Sequence, residues 1–300
     1  MMKPYHTSVL LHESVDALQV KPGGTYVDAT FGGGGHSREI LKRLGPDGRL
    51  LAFDQDEEAA QNAPDDVRFT FIGANFSALK RFLRLYGIEH VDGIVADLGV
   101  SGRQLEAAER GFSYRLEGPL DMRMNRNSTL TAAHILNEYG AEQLQQMWSR
   151  YGEVRNARTL AQAVVNARSR QPLTTTTQLR EIALQCKTGD EHKYLAQVFQ
   201  AVRIEVNGEM QALEQLLVQS AEVLRQGGRL AVITFHSLED RLVKNYMKHA
   251  SFSDEPEKDV FGRWQPLFRV ITRKPITAGE KERRENPRSH SAKLRVAERI

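Results

Sequence analysis

The fold of this chain is decided by a short stretch at residues 28–37, which reads DATFGGGGHS. A predicted strand over residues 25–29 leads into it, and a predicted helix over residues 36–44 follows it. The glycine run therefore lies in a strand-to-helix turn, where backbone amides can approach a bound ligand closely. We expect a ligand site at this turn, at the end of the first strand of an α/β domain.

Strand and helix patterns alternate through the first hundred residues at the spacing of βαβ units. The predicted strands are 25–29, 49–54, 67–72 and 91–96, and the predicted helices are 36–44, 57–63 and 76–86. This alternation predicts a doubly wound α/β domain, with a parallel sheet and helices on both faces.

The alternation stops in the middle of the chain. Between residues 105 and 195 the patterns indicate helices only, at 141–151, 156–168 and 177–186. A long helix is predicted over 197–225, and strand patterns return at 229–235, 268–273 and 293–298. The simplest architecture is one α/β domain formed by residues 1–104 and 197–300, interrupted by a mostly helical domain over residues 105–196.

The composition excludes a membrane-embedded protein and a disulfide-rich one. Hydrophobic residues make up 40% of the 300 residues and charged residues 26%, with a mean hydropathy of −0.47. No apolar stretch approaches the ~18 residues of a spanning helix, and the N-terminus has no secretory signal pattern. The single cysteine, Cys186, cannot form an internal disulfide or a cysteine-based zinc site. We expect a cytoplasmic protein with no membrane segment and no bound metal.

Positive charge is concentrated in two segments of the chain. The overall formal charge is +3, but residues 263–300 contain 11 Lys or Arg against 4 Asp or Glu. Residues 150–203 contain 9 Lys or Arg against 4 Asp or Glu. Two basic segments on an otherwise acidic chain favour a polyanionic partner, since phosphate contacts dominate nucleic-acid affinity. The alternative is a solvated basic surface with a basic tail.

Two aspartates next to the glycine turn bear on the identity of the ligand. Asp54 ends the second predicted strand, and an acid at that distance from the turn typically binds the ribose hydroxyls of an adenosine. The turn and Asp54 fit both NAD and S-adenosylmethionine. Asp28 favours S-adenosylmethionine, because a carboxylate repels a pyrophosphate and attracts an ammonium and a sulfonium. The alternative for Asp28 is a residue that caps a helix or a turn.

Three further segments place polar residues where the ligand crevice of an α/β sheet lies. The fourth strand ends in DLGVS at 97–101 and the fifth in TFHSLEDR at 234–241, where Ser237 also fits a helix N-cap. Ligands of open α/β sheets bind at the carboxyl ends of the strands, so Asp97 and Ser101 are candidate site residues. The segment PLDMRM at 119–124 suits a lid over a flat base, with an ordinary loop as the alternative.

Together these segments resemble the RsmH (MraW) family of bacterial methyltransferases, which modify the N(4) amino group of a cytidine in 16S rRNA. The resemblance covers nearly the whole chain. The matching segments, in order, are HTSVLL (6–11), the glycine turn, DQD (54–56), DLGVS (97–101), ERGFS (109–113), PLDMRM (119–124), FQAVRI (199–204), GGRL (227–230), FHSLEDR (235–241), NPRS (286–289) and LR (294–295).

The resemblance implies a class I, Rossmann-like S-adenosylmethionine-dependent methyltransferase fold, with a helical insertion that recognises the substrate. The implied activity is methylation of N(4) of a cytidine in the decoding centre of 16S rRNA, within the small ribosomal subunit, by a monomer or homodimer. The implied cofactor site consists of Gly34, Gly35 and His36, which act largely through the backbone, Asp54 on the ribose, Phe76 beside the adenine, and Asp97 and Gln104.

The chemistry of that reaction singles out two candidate catalytic residues. The amino group of cytosine is a poor nucleophile, so a catalyst must align it with the methyl donor and accept its proton. Many amino-group methyltransferases carry an Asp/Asn-Pro-Pro-aromatic motif at the end of the fourth strand, whereas this chain has DLGV at 97–100. We expect Asp97 or Asp121 to orient or deprotonate the amine, with His236 and Ser237 as polar support.

Two other classes of protein remain open from the residues alone. An NAD-dependent oxidoreductase fits the glycine turn but is disfavoured by Asp28. A non-catalytic RNA-binding or assembly factor on the same fold fits the basic segments, whereas the glycine turn together with Asp54 and Asp97 favours an enzyme.

Overall fold

The computed structural model describes residues 8–256 and 261–300, so His6 of the HTSVLL segment lies outside the described residues. The strands of the described part are β1 (Thr25–Asp28), β2 (Arg49–Phe53), β3 (Phe69–Ile72), β4 (Val91–Asp97), β5 (Leu224–Thr234), β6 (Phe268–Val270) and β7 (Lys293–Arg299). The α-helices are α1 (Leu11–Leu18), α2 (Gly35–Arg43), α3 (Leu79–Leu85), α4 (Gly102–Glu106), α5 (Ala132–Glu138), α6 (Ala141–Gly152), α7 (Ala157–Arg168), α8 (Thr176–Cys186), α9 (Glu191–Asn207), α10 (Glu209–Val223), α11 (Ser237–His249) and α12 (Glu280–Glu285). Short 3-10 helices lie at Glu57–Asn62, Phe76–Ala78, Ala108–Arg110 and Pro287–Ser291.

The strands form one sheet, in the order β3-β2-β1-β4-β5-β7-β6. Strands β1 to β5 are parallel to one another, as the alternating pattern predicted. Strand β7 is antiparallel to both of its neighbours, β5 and β6. A dinucleotide-binding sheet has the strand order 3-2-1-4-5-6. The antiparallel strand inserted between β5 and β6 distinguishes this sheet from that one.

Both faces of the sheet are covered, because successive residues of the central strands pack into two different apolar clusters. In β4, Ile94 and Ala96 pack into one cluster together with Leu79 of α3. Val95, which lies between them in sequence, packs into the other cluster together with Ile40 of α2. Burial on both faces fixes the register of the strands. Because these strands are parallel, the polar residues at their carboxyl ends lie at one common edge of the sheet.

The described chain divides into two compact units. The first comprises the described residues up to Gly99 together with Met210–Ile300, and it contains the sheet. The second, Val100–Glu209, contains α4 to α9 and a single residue of α10. The helical unit is therefore longer at both ends than the predicted range 105–196.

The helical unit ends later than predicted because α9 packs within it. The indole N–H of Trp148, in α6, donates a hydrogen bond to the carbonyl of Val198, in α9 (3.3 Å). The single helix predicted over 197–225 is two helices in the structure, because Gly208 takes a left-handed φ of 57° and ends α9. The apolar pattern continues across Gly208, which is why the sequence predicted an unbroken helix.

Candidate active site at the carboxyl edge of the sheet

The turn between β1 and α2 is a closely packed backbone surface. Gly32 and Gly34 have left-handed φ angles of 50° and 74°, which side chains disfavour. A Cβ on Gly34 would lie 2.8 Å from the Phe31 ring, and one on Gly35 would lie 2.0 Å from Ser8 Oγ. Because α2 begins at Gly35, the first amides of that helix lie at this turn and can donate to a ligand.

Asp54, directly after β2, is held against the glycine turn. Its Oδ2 accepts a hydrogen bond from the N–H of Gly32 (2.7 Å), and its Oδ1 accepts one from the N–H of Asp56 (2.9 Å). Burial raises the pKa of Asp54 to about 6. Each carboxylate oxygen has more than one lone pair, so this side chain can also accept hydrogen bonds from the diol of a ribose.

Asp28, the last residue of β1, is bound on both oxygens by the segment that follows it. The hydroxyl of Ser37 donates to Oδ2 (2.7 Å), and the N–H of Thr30 donates to Oδ1 (3.1 Å). Burial raises the pKa of Asp28 to about 6. This geometry fits the alternative in which Asp28 caps the turn. The negative charge of Asp28 also contributes to raising the pKa of Asp54 and the pKa of Asp97.

Asp97, the last residue of β4, and His36, in α2, each carry a buried polar atom without a hydrogen-bond partner in the described part of the chain. These atoms are Asp97 Oδ1 and His36 Nε2. The N–H of Asp97 donates to Thr30 Oγ1 (2.6 Å), which joins the end of β4 to the glycine turn. Burial raises the pKa of Asp97 to about 6, opposed by His36 and Arg288. Buried polar atoms in native proteins are nearly always paired, so these two atoms indicate a ligand.

The segment after β5 is organised by a capping box at the start of α11. His236 is the N-cap, and its Nδ1 accepts a hydrogen bond from the N–H of Glu239 (3.4 Å). In return, Glu239 Oε2 accepts from the N–H groups of Phe235 (2.8 Å) and His236 (3.3 Å). The N-cap expected at Ser237 is therefore one residue earlier, because a histidine ring takes the part that a hydroxyl usually plays.

Two residues that the family resemblance places in the cofactor site lie in different units. Phe76 opens a 3-10 helix of the first unit and packs against the apolar cluster that contains α3. The preceding residue, Asn75, donates through Nδ2 to Gln55 Oε1 (2.9 Å), which holds this segment beside the end of β2. Gln104 lies in the helical unit, where its Oε1 accepts from the N–H of Ser101 (2.9 Å) in a capping box of α4.

Asp121, the second catalytic candidate, lies in the helical unit and is paired with Arg123. The guanidinium donates through Nε to Oδ1 (2.9 Å) and through Nη2 to Oδ2 (2.7 Å). Burial raises the pKa of Asp121, but the hydrogen bonds from Arg123 outweigh burial and leave that pKa below its ordinary value. A carboxylate bound on both oxygens by an arginine is a weak proton acceptor.

Within residues 8–256 and 261–300, no group of three or more His, Cys, Asp or Glu side chains is placed to hold a metal ion. None of the helices in this part of the chain combines the length and the apolar character needed to span a membrane.

The carboxyl edge of the sheet fits S-adenosylmethionine better than a dinucleotide. Three carboxylates, those of Asp28, Asp54 and Asp97, follow or end β1, β2 and β4. Their negative charge repels a pyrophosphate and attracts an ammonium and a sulfonium. The charges of Asp28 and Asp97 can attract the ammonium and the sulfonium, and Asp54 can accept from the ribose diol. The fold and this edge together define an S-adenosylmethionine-dependent methyltransferase of the Rossmann-like class.

Comparison with known proteins identifies the family. Residues 3–300 match the model of the MraW methylase family. The chain is 51% identical over 301 residues to ribosomal RNA small subunit methyltransferase H of Christiangramia forsetii, covering 100% of this chain and 99% of the relative. It is 53% identical over 296 residues to the protein of the same name from Bacteroides thetaiotaomicron, covering 98% and 97%. A solved rRNA methylase from Streptococcus thermophilus is 14% identical, with a TM-score of 0.42, covering 100% of this chain and 99% of that chain.

The chain therefore belongs to the MraW methylase family. The predicted fold class is confirmed, and so is S-adenosylmethionine as the cofactor. The roles of individual site residues stay predictions.

Proposed function

We propose that this protein transfers a methyl group from S-adenosylmethionine to the N(4) amino group of a cytidine in the decoding centre of 16S rRNA, within the small ribosomal subunit. The observation that carries the proposal is Asp97, whose Oδ1 is buried and unpartnered at the end of β4, beside the glycine turn. The names of the relatives support small-subunit rRNA as the substrate. The sequence resemblance supports N(4) of a cytidine.

We assign the cofactor contacts residue by residue. The tight backbone of the glycine turn supports contacts from Gly34, Gly35 and His36. The hydrogen bond between Asp54 and that turn supports a ribose contact. Phe76, Asp97 and Gln104 complete the proposed set on the basis of the family resemblance.

The reaction forms a bond between N(4) and the methyl carbon, breaks the bond between that carbon and sulfur, and releases one proton from N(4). S-adenosylmethionine supplies the activated methyl group. We propose Asp97 as the proton acceptor, because a pKa of about 6 leaves it ionised at neutral pH and more basic than an ordinary aspartate. Asp121 is the weaker candidate, since Arg123 binds both of its oxygens.

The helical unit is the proposed RNA-recognition domain. Arg155, Arg158, Arg170 and Arg180 are exposed there, and exposed arginines suit contacts with RNA phosphates. A target cytosine must leave its stack to reach a methyltransferase site, at a cost of a few kcal/mol. Contacts with the flanking RNA are expected to offset that cost.

The proposal is tested by methyl transfer from labelled S-adenosylmethionine to small ribosomal subunits isolated from cells that lack the modification. We expect N(4)-methylcytidine at a single site when the labelled nucleosides are separated. Calorimetric titration with S-adenosylmethionine serves as the control for a folded cofactor site. A protein that binds the cofactor but transfers nothing to these subunits would contradict the proposal and favour a non-catalytic assembly factor.

A further inference from the structure

His236, the N-cap of α11, has a defined pattern of donor and acceptor on its ring. Its Nδ1 accepts a hydrogen bond from the N–H of Glu239 (3.4 Å). A neutral imidazole carries one proton, and the nitrogen that accepts a hydrogen bond is the one without it. The capping interaction therefore places the proton on Nε2, which makes that atom a hydrogen-bond donor.

The Nε2 donor of His236 is buried and has no hydrogen-bond partner in residues 8–256 and 261–300. The side chain is only 10% exposed. Glu239 Oε1 lies 3.2 Å from Nε2 without forming a hydrogen bond with it, while Oε2 of the same carboxylate accepts from the backbone N–H groups of Phe235 and His236. Because buried donors are nearly always paired, an unpartnered one indicates that a bound ligand supplies the acceptor.

The strand register brings this donor to the same part of the edge as Asp97. Asp97 in β4 is paired with Ile233 in β5, and the N–H of Leu98 donates to the carbonyl of Ile233 (3.0 Å). The charge of Glu239 is close enough to raise the pKa of Asp97. One unpartnered acceptor, Asp97 Oδ1, and one unpartnered donor, His236 Nε2, thus lie at the end of β4 and just after the end of the adjacent strand β5.

We propose that the Nε2–H of His236 donates a hydrogen bond to the ring nitrogen N3 of the target cytosine and thereby selects cytosine over uracil. This inference rests on the proposed function. On the Watson–Crick edge of cytosine the amino donor lies next to the N3 acceptor, which matches the acceptor of Asp97 and the donor of His236 at the ends of two adjacent strands. Uracil presents the opposite order, a carbonyl beside an N–H, and would set donor against donor at His236. His236 is a specificity residue in this scheme, and the proton from N(4) goes to Asp97.

Two substitutions of His236 test separately its role as the N-cap of α11 and its role as a hydrogen-bond donor. In His236→Asn the short amide can keep the cap through its Oδ1, but it has no atom at the Nε2 position. In His236→Gln the longer amide can place an N–H near that position. His90→Asn, at an exposed position just before β4, is the matched control.

We expect His236→Asn to lower kcat/KM for small ribosomal subunits by about 10- to 100-fold, the usual range for loss of one buried donor to a substrate. Its Kd for S-adenosylmethionine and its Tm should stay close to those of the unchanged protein. His236→Gln should recover a large part of the loss, and His90→Asn should behave as the unchanged protein does. Subunits carrying 3-deazacytidine at the target lack the N3 acceptor, so they should lower kcat/KM for the unchanged protein and leave that of His236→Asn unaffected.

Four outcomes would overturn the inference. His236→Asn could keep full kcat/KM, or it could lose Tm and cofactor affinity in step with activity, which would mean that the residue only caps the helix. The fold-losses in kcat/KM from His236→Asn and from 3-deazacytidine could multiply, which would mean that Nε2 of His236 and N3 of the cytosine do not interact. His236→Gln could shift the acidic limb of the pH–kcat profile, which would make the ring a proton acceptor. If the unchanged protein itself transfers no methyl group, the proposed function fails first, so the two failures are distinguishable.

Discussion

At the scale of single residues, the proposed contact between Asp97 and the cofactor predicts that cofactor binding depends on pH. Burial raises the pKa of Asp97 to about 6, so the group is mostly protonated at pH 5 and mostly ionised at pH 7.5. A cationic ligand binds the ionised form, so we expect the affinity for S-adenosylmethionine to rise about tenfold between these pH values if one proton is coupled to binding. Calorimetric titration across this range measures the effect.

Asp97→Asn is the control for this dependence. The amide does not titrate, so the variant should bind more weakly at pH 7.5 and show a flatter profile from pH 5 to 7.5. A flat profile for the unchanged protein would contradict the role of Asp97 in binding the cofactor. Asp54 also has a pKa raised by burial to about 6, so Asp54→Asn reports how much of the remaining slope belongs to it.

The glycine turn gives a second prediction at this scale. Gly34→Ala adds a Cβ at a φ of 74° and 2.8 Å from the Phe31 ring, and a left-handed φ alone costs a residue with a side chain roughly 1–2 kcal/mol. We expect a lower free energy of unfolding in urea and weaker binding of S-adenosylmethionine. Gly23→Ala is the matched control, since a Cβ there meets nothing within 4 Å. Equal effects of the two substitutions would show that the conformation of the turn is unimportant.

The sequence predicted some of these site residues and could not predict others. Glycines before a helix and acids at strand ends are local patterns, so the glycine turn, Asp54 and Asp97 followed from the residues themselves. The proton position on His236 could not be predicted, because it depends on which backbone N–H the ring meets. The pairing of Asp121 with Arg123 was equally hidden, since two residues that are close in sequence need not touch.

At the scale of elements, the loop after α4 is held together by Arg123. Besides Asp121, its guanidinium binds the carbonyls of Arg126 (2.9 Å) and Ser128 (2.7 Å). We expect Asp121→Asn and Arg123→Gln to have similar effects, because both break the same partly buried ion pair. Each should lower Tm and change kcat less than Asp97→Asn does, as measured by thermal unfolding and by methyl transfer. A loss of kcat with Asp121→Asn that Arg123→Gln does not share would restore Asp121 as the proton acceptor.

The sequence patterns predicted the existence of the last strands but not their direction in the sheet. The pattern at 293–298 predicted a strand, and β7 occupies Lys293–Arg299. Its antiparallel direction against β5 and β6 could not be predicted, because periodicity does not report the direction of a strand. The strand predicted over 268–273 ends at Val270, since the N–H groups of Ile271 and Thr272 both donate to the single carbonyl of Val296. Such an irregular pairing depends on the partner strand.

At the scale of the whole molecule, the basic charge of residues 263–300 and a strand at 293–298 were both predictable, but the position of that strand inside the sheet was not. The basic segment at 263–300 contains β7, which lies inside the sheet between β5 and β6. Deleting the last fifteen residues would remove an internal strand, so it would measure loss of the fold rather than loss of RNA binding. The helical unit offers a cleaner test, because its exposed arginines can be changed without touching a strand.

The last prediction concerns Arg155 and Arg158, which are exposed beside and within α7. If both contact RNA phosphates, Arg155→Glu with Arg158→Glu should weaken binding to small ribosomal subunits and lower the slope of log K against log salt by about one per contact. Lys42→Glu, on α2 of the other unit, is the matched control, since Lys42 is 73% exposed and paired with Glu39. Affinity for S-adenosylmethionine should not change in either variant, because the substituted side chains are not among the proposed cofactor contacts. An unchanged salt slope in the double variant would move the RNA interface away from α7, while the cofactor site and the proposed reaction would stand.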